Sequence, residues 1–381
     1  MKILIAPDKF KGSLASDVVA STIAGELEAR VPGVKSKVLP IADGGEGTAK
    51  ILTNALGGRW VPCTVSDALG RDVEAGFGLI ATEDETLAVL EMSSASGLAI
   101  IPEEDRDPWA ASTYGTGQLM TAAMDAGADK IIVGLGGSAT NDGGSGMARA
   151  LGFQFLDAEG TPVEDLPAAL DTVTEIVYSL ERDLPEIVAA CDVDNPLLGE
   201  RGAIAVFGPQ KGVTADQAAR FENRLRHLAD LVAHDLDTDP RESPGAGAAG
   251  GLGFGLIAFG EARLESGFDL VADVLGIEEA IGSADIVITG EGKLDEQTLM
   301  GKGPGGIARM AKAAGKPVIG FCGRAAAEDQ LASLFDAVFP VSDETLSVEE
   351  SMARAGELLK IAVAKAADRI QEWNPLPHET T

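Results

Sequence analysis

The sequence predicts an α/β protein with two α/β domains. One is a discontinuous, doubly wound domain built from both ends of the chain; the other is a mixed-sheet domain inserted between them. Three observations predict this. Short apolar runs alternate with helix-period segments at both ends. The middle of the chain is rich in strand-like runs with little helix between them. Polar Gly-rich stretches recur after predicted strands, the place where doubly wound sheets bind ligands. With 381 residues the chain is long enough for two domains.

Taken in order, "KILIAPD" is a short buried strand with a polar end. A helix starts at about Ser16, with Val19, Ile23 and Leu27 on one stripe. "SKVLPIAD" is the next strand, ending at "GGEGT", and the helix "AKILTNAL" closes on Gly57-Gly58. From about Trp60 the texture changes: "WVPCTVSDALG", "DVEAGFGLIA" and "TLAVLEMSSASGL" are strand-like and suggest a mixed or antiparallel sheet. Helix "GQLMTAAMDAGA" leads into strand "KIIVGLGG", and strand "EIVAACDVD" and a polar-faced helix at 215–236 follow. "GAGAAGGLGFGLIAFG" is too Gly-rich for an isolated helix but can pack closely as one. After about Gly282 the β-α-β alternation returns with "ADIVITGEG", "GPGGIARMAKAAG", "KPVIGFCG" and "DAVFPVS". A single last helix is expected from the Ser-x-x-Glu capping signal at Ser347, carrying Met352, Leu359, Val363, Ile370 and Trp373 near one stripe. The expected domains are 1–66 plus 283–381, Rossmann-like, and 67–282, with the place of 130–150 left open.

Composition excludes several classes of function. Hydrophobic residues make up 45% and charged residues 24%, as in an ordinary globular chain. The net charge of −30 argues against nucleic-acid binding, which needs a basic face. An anionic ligand would then need a locally positive site, so the few basic residues in Gly-rich loops carry weight. Cys63, Cys191 and Cys322 are widely spaced and outside any CxxC pattern, so neither a disulfide framework nor a zinc site is indicated. "MKILIAPDKFKGSL" does not read as a signal peptide, and no apolar window is long enough to span a bilayer. A cytoplasmic protein with small-molecule partners is expected, with no nucleic acid, no membrane, and an open oligomeric state for which a homodimer is one option. His227, His234 and His378 receive no chemistry.

"GLGGSATNDGGSG" (134–146) carries six of the chain's 47 glycines and follows a predicted strand. It lacks the GxxxxGK[ST] of a Walker loop and the third glycine of a dinucleotide fingerprint, where Ala139 stands. "GLGGSAT" is similar to the loop of galactokinase-like small-molecule kinases, but that fold does not open with a doubly wound start. A tight turn made for packing is the structural alternative. Five further loops combine glycine with one or two charges: "APDKFKGSL", "ADGGEGT", "CDVDNPLLG", "FGPQKG" and "TGEGKLDEQT".

As a set and in order, "PDKFKGSL", "ADGGEGT", "GGSATNDGG", "CDVDNPL", "FGPQKG" and "TGEGKLDEQT" resemble the bacterial glycerate kinase family, type 1, which has no Walker loop. The resemblance runs from residue 1 to about 373. It implies transfer of the ATP γ-phosphoryl group to D-glycerate with Mg2+, and an active site in the cleft between two α/β domains. A non-catalytic module that captures a hydroxy acid is the alternative of another class; the density of acid and base in the loops argues against it.

Phosphoryl transfer needs cations for the phosphates and the substrate carboxylate, carboxylates for Mg2+, and a base for the hydroxyl. Lys9 and Lys11 are candidates for phosphate or carboxylate, and Arg324 for the carboxylate its planar fork matches. Asp192, at a predicted strand end beside the turn residues Asn195 and Pro196, is the expected general base; a turn-forming Asp is its structural alternative. Asp194 ranks below it. Asp8, Asp43, Glu46, Ser94, Asn195, Glu291 and Asp295 are candidates for the substrate side, and Ser96 with residues 113–117 are weaker ones. Asp192 and Glu291 are the metal candidates, with Asp43, Glu46 and Asp295 behind them. Gly136, Gly137, Ser138, Thr140, Asn141 and Asp142 are expected at the nucleotide. The family often has Glu after "YGTG"; here Gln118 stands there.

Overall fold

A computed structural model of the chain describes residues 1–42, 44–178, 183–294, 298, 303–325, 331–342 and 345–373. The N-terminal segment forms β1 (Lys2–Ile5) and β2 (Lys35–Val38). The middle forms β3 (Arg59–Ser66), β4 (Asp72–Ala81), β5 (Thr86–Glu91), β6 (Lys130–Gly134), β7 (Phe153–Leu156), β8 (Glu175–Tyr178), β9 (Glu186–Ala190) and β10 (Arg263–Glu265). The C-terminal segment forms β11 (Ile286–Leu294), β12 (Val318–Ala325) and β13 (Ala337–Pro340). The chain divides into two compact units: Met1–Asp43 with Val271–Thr381, and Gly44–Leu270.

In the first unit the strands run β13-β12-β11-β1-β2, all parallel. Parallel sheets must be covered on both faces, and alternation along β1 meets that need. Ile3 and Ile5 join a core with Val19, Ile23 and Leu27 of helix Ser16–Arg30 and Leu359, Val363 and Ile370 of helix Ala355–Trp373. Leu4, Val287 and Val318, which alternate to the other face, are equally buried. The sheet thus carries its loops at the carboxyl ends of β1, β11 and β12.

In the second unit a six-stranded sheet runs β10-β9-β6-β5-β4-β3, and β7 and β8 form a separate antiparallel pair. β10, β9, β6 and β5 are parallel; β4 and β3 extend the sheet antiparallel. This is the mixed sheet expected from the strand-rich middle. Residues 130–150 belong to it through β6.

The division falls elsewhere than at 66/67 and 282/283. β3 pairs with β4 along its whole length, from Arg59↔Leu79 to Ser66↔Asp72, so it belongs to the second sheet. At the other end, Ile277, Ala280 and Ile281 are buried in the helix Ile277–Ser283 of the first unit. Hairpin pairing, a tertiary fact, moves the first boundary, because composition changes only at Trp60. The last helix is also two helices. Ser347 and Glu350 do form the capping box, but Val348–Ala353 stops at Arg354 before Ala355–Trp373 begins. Met352 is exposed instead of completing the buried stripe.

The Gly-rich segment packs as foreseen, with a kink. Within Ala248–Gly260, Ala249, Gly250 and Gly251 have φ of 52°, 68° and 90°. A Cβ on Gly250 would sit 1.8 Å from the Thr140 carbonyl oxygen. The backbone of loop 134–146 therefore rests directly on this kink, an approach only glycine permits. No described helix is long and apolar enough to cross a membrane.

Candidate active site

The first unit holds a cavity of about 710 Å³ at the carboxyl ends of its central strands. Its polar wall is Asp8, Lys9, Lys11, Glu291, Lys293 and Arg324. The elements explain the convergence. Asp8 follows β1 and donates its N–H to the Gly290 carbonyl, which brings the "PDKFKG" turn against β11. Glu291 and Lys293 are two residues apart on β11 and so share a face. Gly292 between them lets the turn come close: a Cβ there would be 3.2 Å from the Lys11 nitrogen. In register, Glu291 stands beside Cys322 and Lys293 beside Arg324. The apolar wall comes from Phe10, Val341, Leu346, Val348 and Met352. Val348 and Met352, before the break at Arg354, are exposed on that wall.

The two carboxylates are held in distinct ways. Asp8 is buried and its Oδ1 accepts the Lys9 N–H at 2.6 Å. Glu291 Oε1 accepts the Thr298 hydroxyl at 2.7 Å. Burial, helped by the Glu291 charge, pushes the Cys322 thiol up to about 12, so it stays neutral beside Glu291 in the sheet. Four cations around one cavity, in a chain of net charge −30, form the locally positive site that an anionic ligand requires.

The second unit gathers its candidates at the carboxyl ends of β5, β6 and β9. Asp192 is exposed just beyond β9, and its Oδ1 accepts the Gly267 N–H at 3.0 Å. Gly44 packs on the end of β9, where a Cβ would be 2.8 Å from Ala190 Cβ, and its carbonyl oxygen lies close over Gly134 at the end of β6. Glu46 is exposed beside it, before the left-handed Gly47 that starts helix Thr48–Ala55. Ser94 is half-buried and donates to the Glu91 carbonyl at 2.8 Å. Asn195 shapes the turn, its side-chain amide donating to the Arg201 carbonyl. Asp194 pairs with Arg201 on the surface.

Loop 134–146 divides into an outer and an inner part. Gly136 and Gly137 are exposed. Ser138, Thr140, Asn141 and Asp142 are buried, so the side chains expected to touch a nucleotide lie largely inside the loop. Asp142 accepts bonds from the Thr113 N–H and hydroxyl and from the Gly144 and Gly146 N–H groups. Burial still pushes its carboxyl above the usual range. Its role in this geometry is to hold the loop and the start of helix Ser145–Ala150. Both amide atoms of Asn141 are buried with no protein partner. A buried polar group left unsatisfied costs about 1–3 kcal/mol, so this amide, with the Ser145 hydroxyl that is likewise buried without a partner, is suited to a water or ligand.

The weaker candidates have structural work. Ser96 and Thr116 hydroxyls bond each other, and Gln118 accepts the Ser66 N–H at 2.8 Å, tying down β3. His227 contacts the Val173 carbonyl. Asp43 and Asp295 lie outside the described residues. Within the first unit the structure brings together Asp8, Lys9, Lys11, Glu291 and Arg324; within the second, Glu46 and Asp192 flank the ends of the central strands.

Two groups escaped the sequence reading. Lys293 lies in the "TGEGKLDEQT" loop, of which only the carboxylates were nominated; its i, i+2 spacing from Glu291 was the available signal. Lys211 lies in "FGPQKG", and nothing local announces that it is buried.

A parallel strand-end pocket lined by cations, in a two-unit α/β chain with a Gly-rich strand-to-helix loop, defines a class of α/β protein suited to small anions. The chain belongs to the glycerate kinase family, which it matches over residues 3–371. It is 42% identical to a glycerate kinase of Bacillus subtilis (strain 168) over 94% of this chain and 95% of that one. It is 43% identical to a glycerate 2-kinase of Escherichia coli (strain K12) over 85% of each. A crystal structure assigned as glycerate kinase 2 of Salmonella typhimurium LT2 matches with a TM-score of 0.89 and 42% identity, covering 99% of this chain and all of that one.

Proposed function

We propose that the protein transfers the γ-phosphoryl group of ATP to the 2-hydroxyl of D-glycerate, forming 2-phosphoglycerate and ADP. The observation that carries this reading is the pocket where Lys9, Lys11, Lys293 and Arg324 converge with Asp8 and Glu291. The family membership and the relative named a glycerate 2-kinase support it. Phosphoryl transfer asks the protein mainly for positioning and charge. The four cations suit the substrate carboxylate and the transferring phosphoryl oxygens, and Arg324 offers a fork for a carboxylate. The exposed Gly136 and Gly137 let backbone N–H groups approach the nucleotide phosphates.

Asp192 acts as general base. The substrate hydroxyl oxygen attacks the γ-phosphorus, the bond from that phosphorus to the β–γ bridging oxygen breaks, ADP leaves, and the hydroxyl proton passes to the Asp192 carboxylate. Its bond from Gly267 N–H orients the carboxylate. Mg2+ fits the donor chemistry modestly. No three His, Cys, Asp or Glu side chains among the described residues could hold a metal together. Glu291, with Asp192 as the alternative, is a hard oxygen donor of the sort that supplies one ligand to a cation carried mainly by phosphates. When bound, Mg2+ neutralises phosphate charge.

The test is incubation with ATP, Mg2+ and D-glycerate, with the product identified by phosphorus NMR. The 2-phospho ester is expected. The 3-phospho ester overturns the regiochemistry, and absence of turnover with glycerate overturns the reading.

A further inference from the structure

The "FGPQKG" turn has no part in the chemistry described so far, yet it delivers the one lysine that is buried among the described residues. Pro209–Lys211 forms a single 3-10 turn, closed by Gly212 at φ 95°. The turn sends Lys211 inward, where only 5% of it remains exposed. Its Nζ donates to the Thr140 carbonyl at 2.7 Å. Thr140 is the residue whose carbonyl rests on the Gly250 kink and whose hydroxyl donates to the Ala249 carbonyl. Asn141, with its unpartnered buried amide, and Asp142 follow directly. Lys211 therefore grips loop 134–146 where its outer glycines give way to its inner polar residues.

Taking an ammonium out of water is costly, several kcal/mol even after relaxation. A carbonyl acceptor alone could be served by a hydroxyl or a water. What a lysine adds is a positive charge under the loop. The buried charge facing it is Asp142, whose carboxylate attracts it; Asp142 also acts on Arg224 of helix Ala218–Asp235, which Asp171 and Arg220 face as well. One positive charge at Lys211 raises the potential at the Asn141 amide and the loop backbone, where phosphate would be negative.

We propose that Lys211 is a positioning residue for nucleotide binding: through the Thr140 carbonyl it sets the shape of loop 134–146, and its charge favours the nucleotide phosphates there. The proposal rests on the kinase reading above. Burial lowers the lysine to about 7, so its charge is present below neutral pH and is lost as pH rises through that value. Nucleotide affinity accordingly weakens above neutrality, whereas affinity for the acceptor does not follow the same curve.

The experiment is steady-state kinetics of wild type, Lys211→Met and Lys211→Arg from pH 6 to 9, varying ATP and D-glycerate separately. Wild type is expected to show a KM for ATP that rises above about pH 7. Lys211→Met is expected to raise that KM tenfold or more at pH 6.5, to flatten its pH dependence, and to change the glycerate KM by less than about threefold. Lys211→Arg, which keeps the charge, is expected to recover part of the ATP affinity and also to lose the pH dependence. Absence of wild-type turnover removes the kinase reading. Wild-type turnover with an ATP KM that is level from pH 6 to 9, or with a Lys211→Met value equal to wild type, overturns the Lys211 proposal alone. If Lys211→Met does not fold, the wild-type and Lys211→Arg profiles decide.

Discussion

Lys293 and Arg324 are register partners on the adjacent parallel strands β11 and β12, and both line the same cavity. Like charges side by side on a sheet repel, and Asp8 and Glu291 on the same cavity offset part of that charge; an anionic substrate would add to that offset. Lys293→Met and Arg324→Met should each raise a substrate KM about 10- to 100-fold, the range for losing a charge-assisted hydrogen bond. Without substrate, neither should lower the denaturation midpoint. Substrate-dependent kinetics and urea melts check the two halves; a variant that melts early with unchanged KM would assign the pair to folding.

Asp192→Asn keeps the shape and the acceptor for Gly267 N–H but removes the base. Turnover should fall by about 10²- to 10⁴-fold, with glycerate KM little changed. An unaltered kcat would move the base elsewhere.

Lys211 also predicts a stability slope. Its folded value of about 7 lies below the ordinary 10.5. Between those values the unfolded chain binds more protons than the folded one, so stability rises with pH. The penalty of burying the charge is complete below pH 7 and is relieved progressively above it. Urea denaturation at pH 6.5 and 9 should show a gain for wild type that Lys211→Met lacks; parallel gains would contradict it.

Gly250→Ala should be among the most damaging single changes in the second unit. The residue has φ 68°, and the new Cβ would meet the Thr140 carbonyl oxygen. Strain alone is worth about 1–3 kcal/mol, and displacement of Thr140 would withdraw the Lys211 acceptor. Calorimetry should show a lower melting temperature, and the ATP KM should rise with it.

Cys322 should resist alkylation at pH 8.5 in the native protein, because burial holds its thiol near 12. Cys191, partly exposed at the end of β9, should label readily. Mass spectrometry before and after unfolding distinguishes the two; rapid native labelling of Cys322 would mean that the sheet around β12 opens.

Much of the fold was legible because its signals are local. Alternating β and α periods announced the doubly wound unit, and the strand-rich middle announced the mixed sheet. The capping box at Ser347 was readable as four letters, but the stop at Arg354 was not, because packing beyond the local pattern decides where a helix ends. Lys9, Lys11, Glu291 and Arg324 were nominated from separate loops, and the parallel register of β1, β11 and β12 joins them. Lys293 completes that group only once β11 is known to continue past Gly292.

The sequence by itself determined which short segments carry the polar chemistry, since glycine, charge and strand ends are written in consecutive residues. The tertiary structure alone decided which side of each segment faces outward. Asp142 was expected at the nucleotide and Lys211 was not singled out, yet both are buried, beside the Gly250 kink and the Pro209–Lys211 turn. Burial depends on what packs against a residue from far along the chain, and its effect on charge is what turned "FGPQKG" from a bystander into a support for the loop.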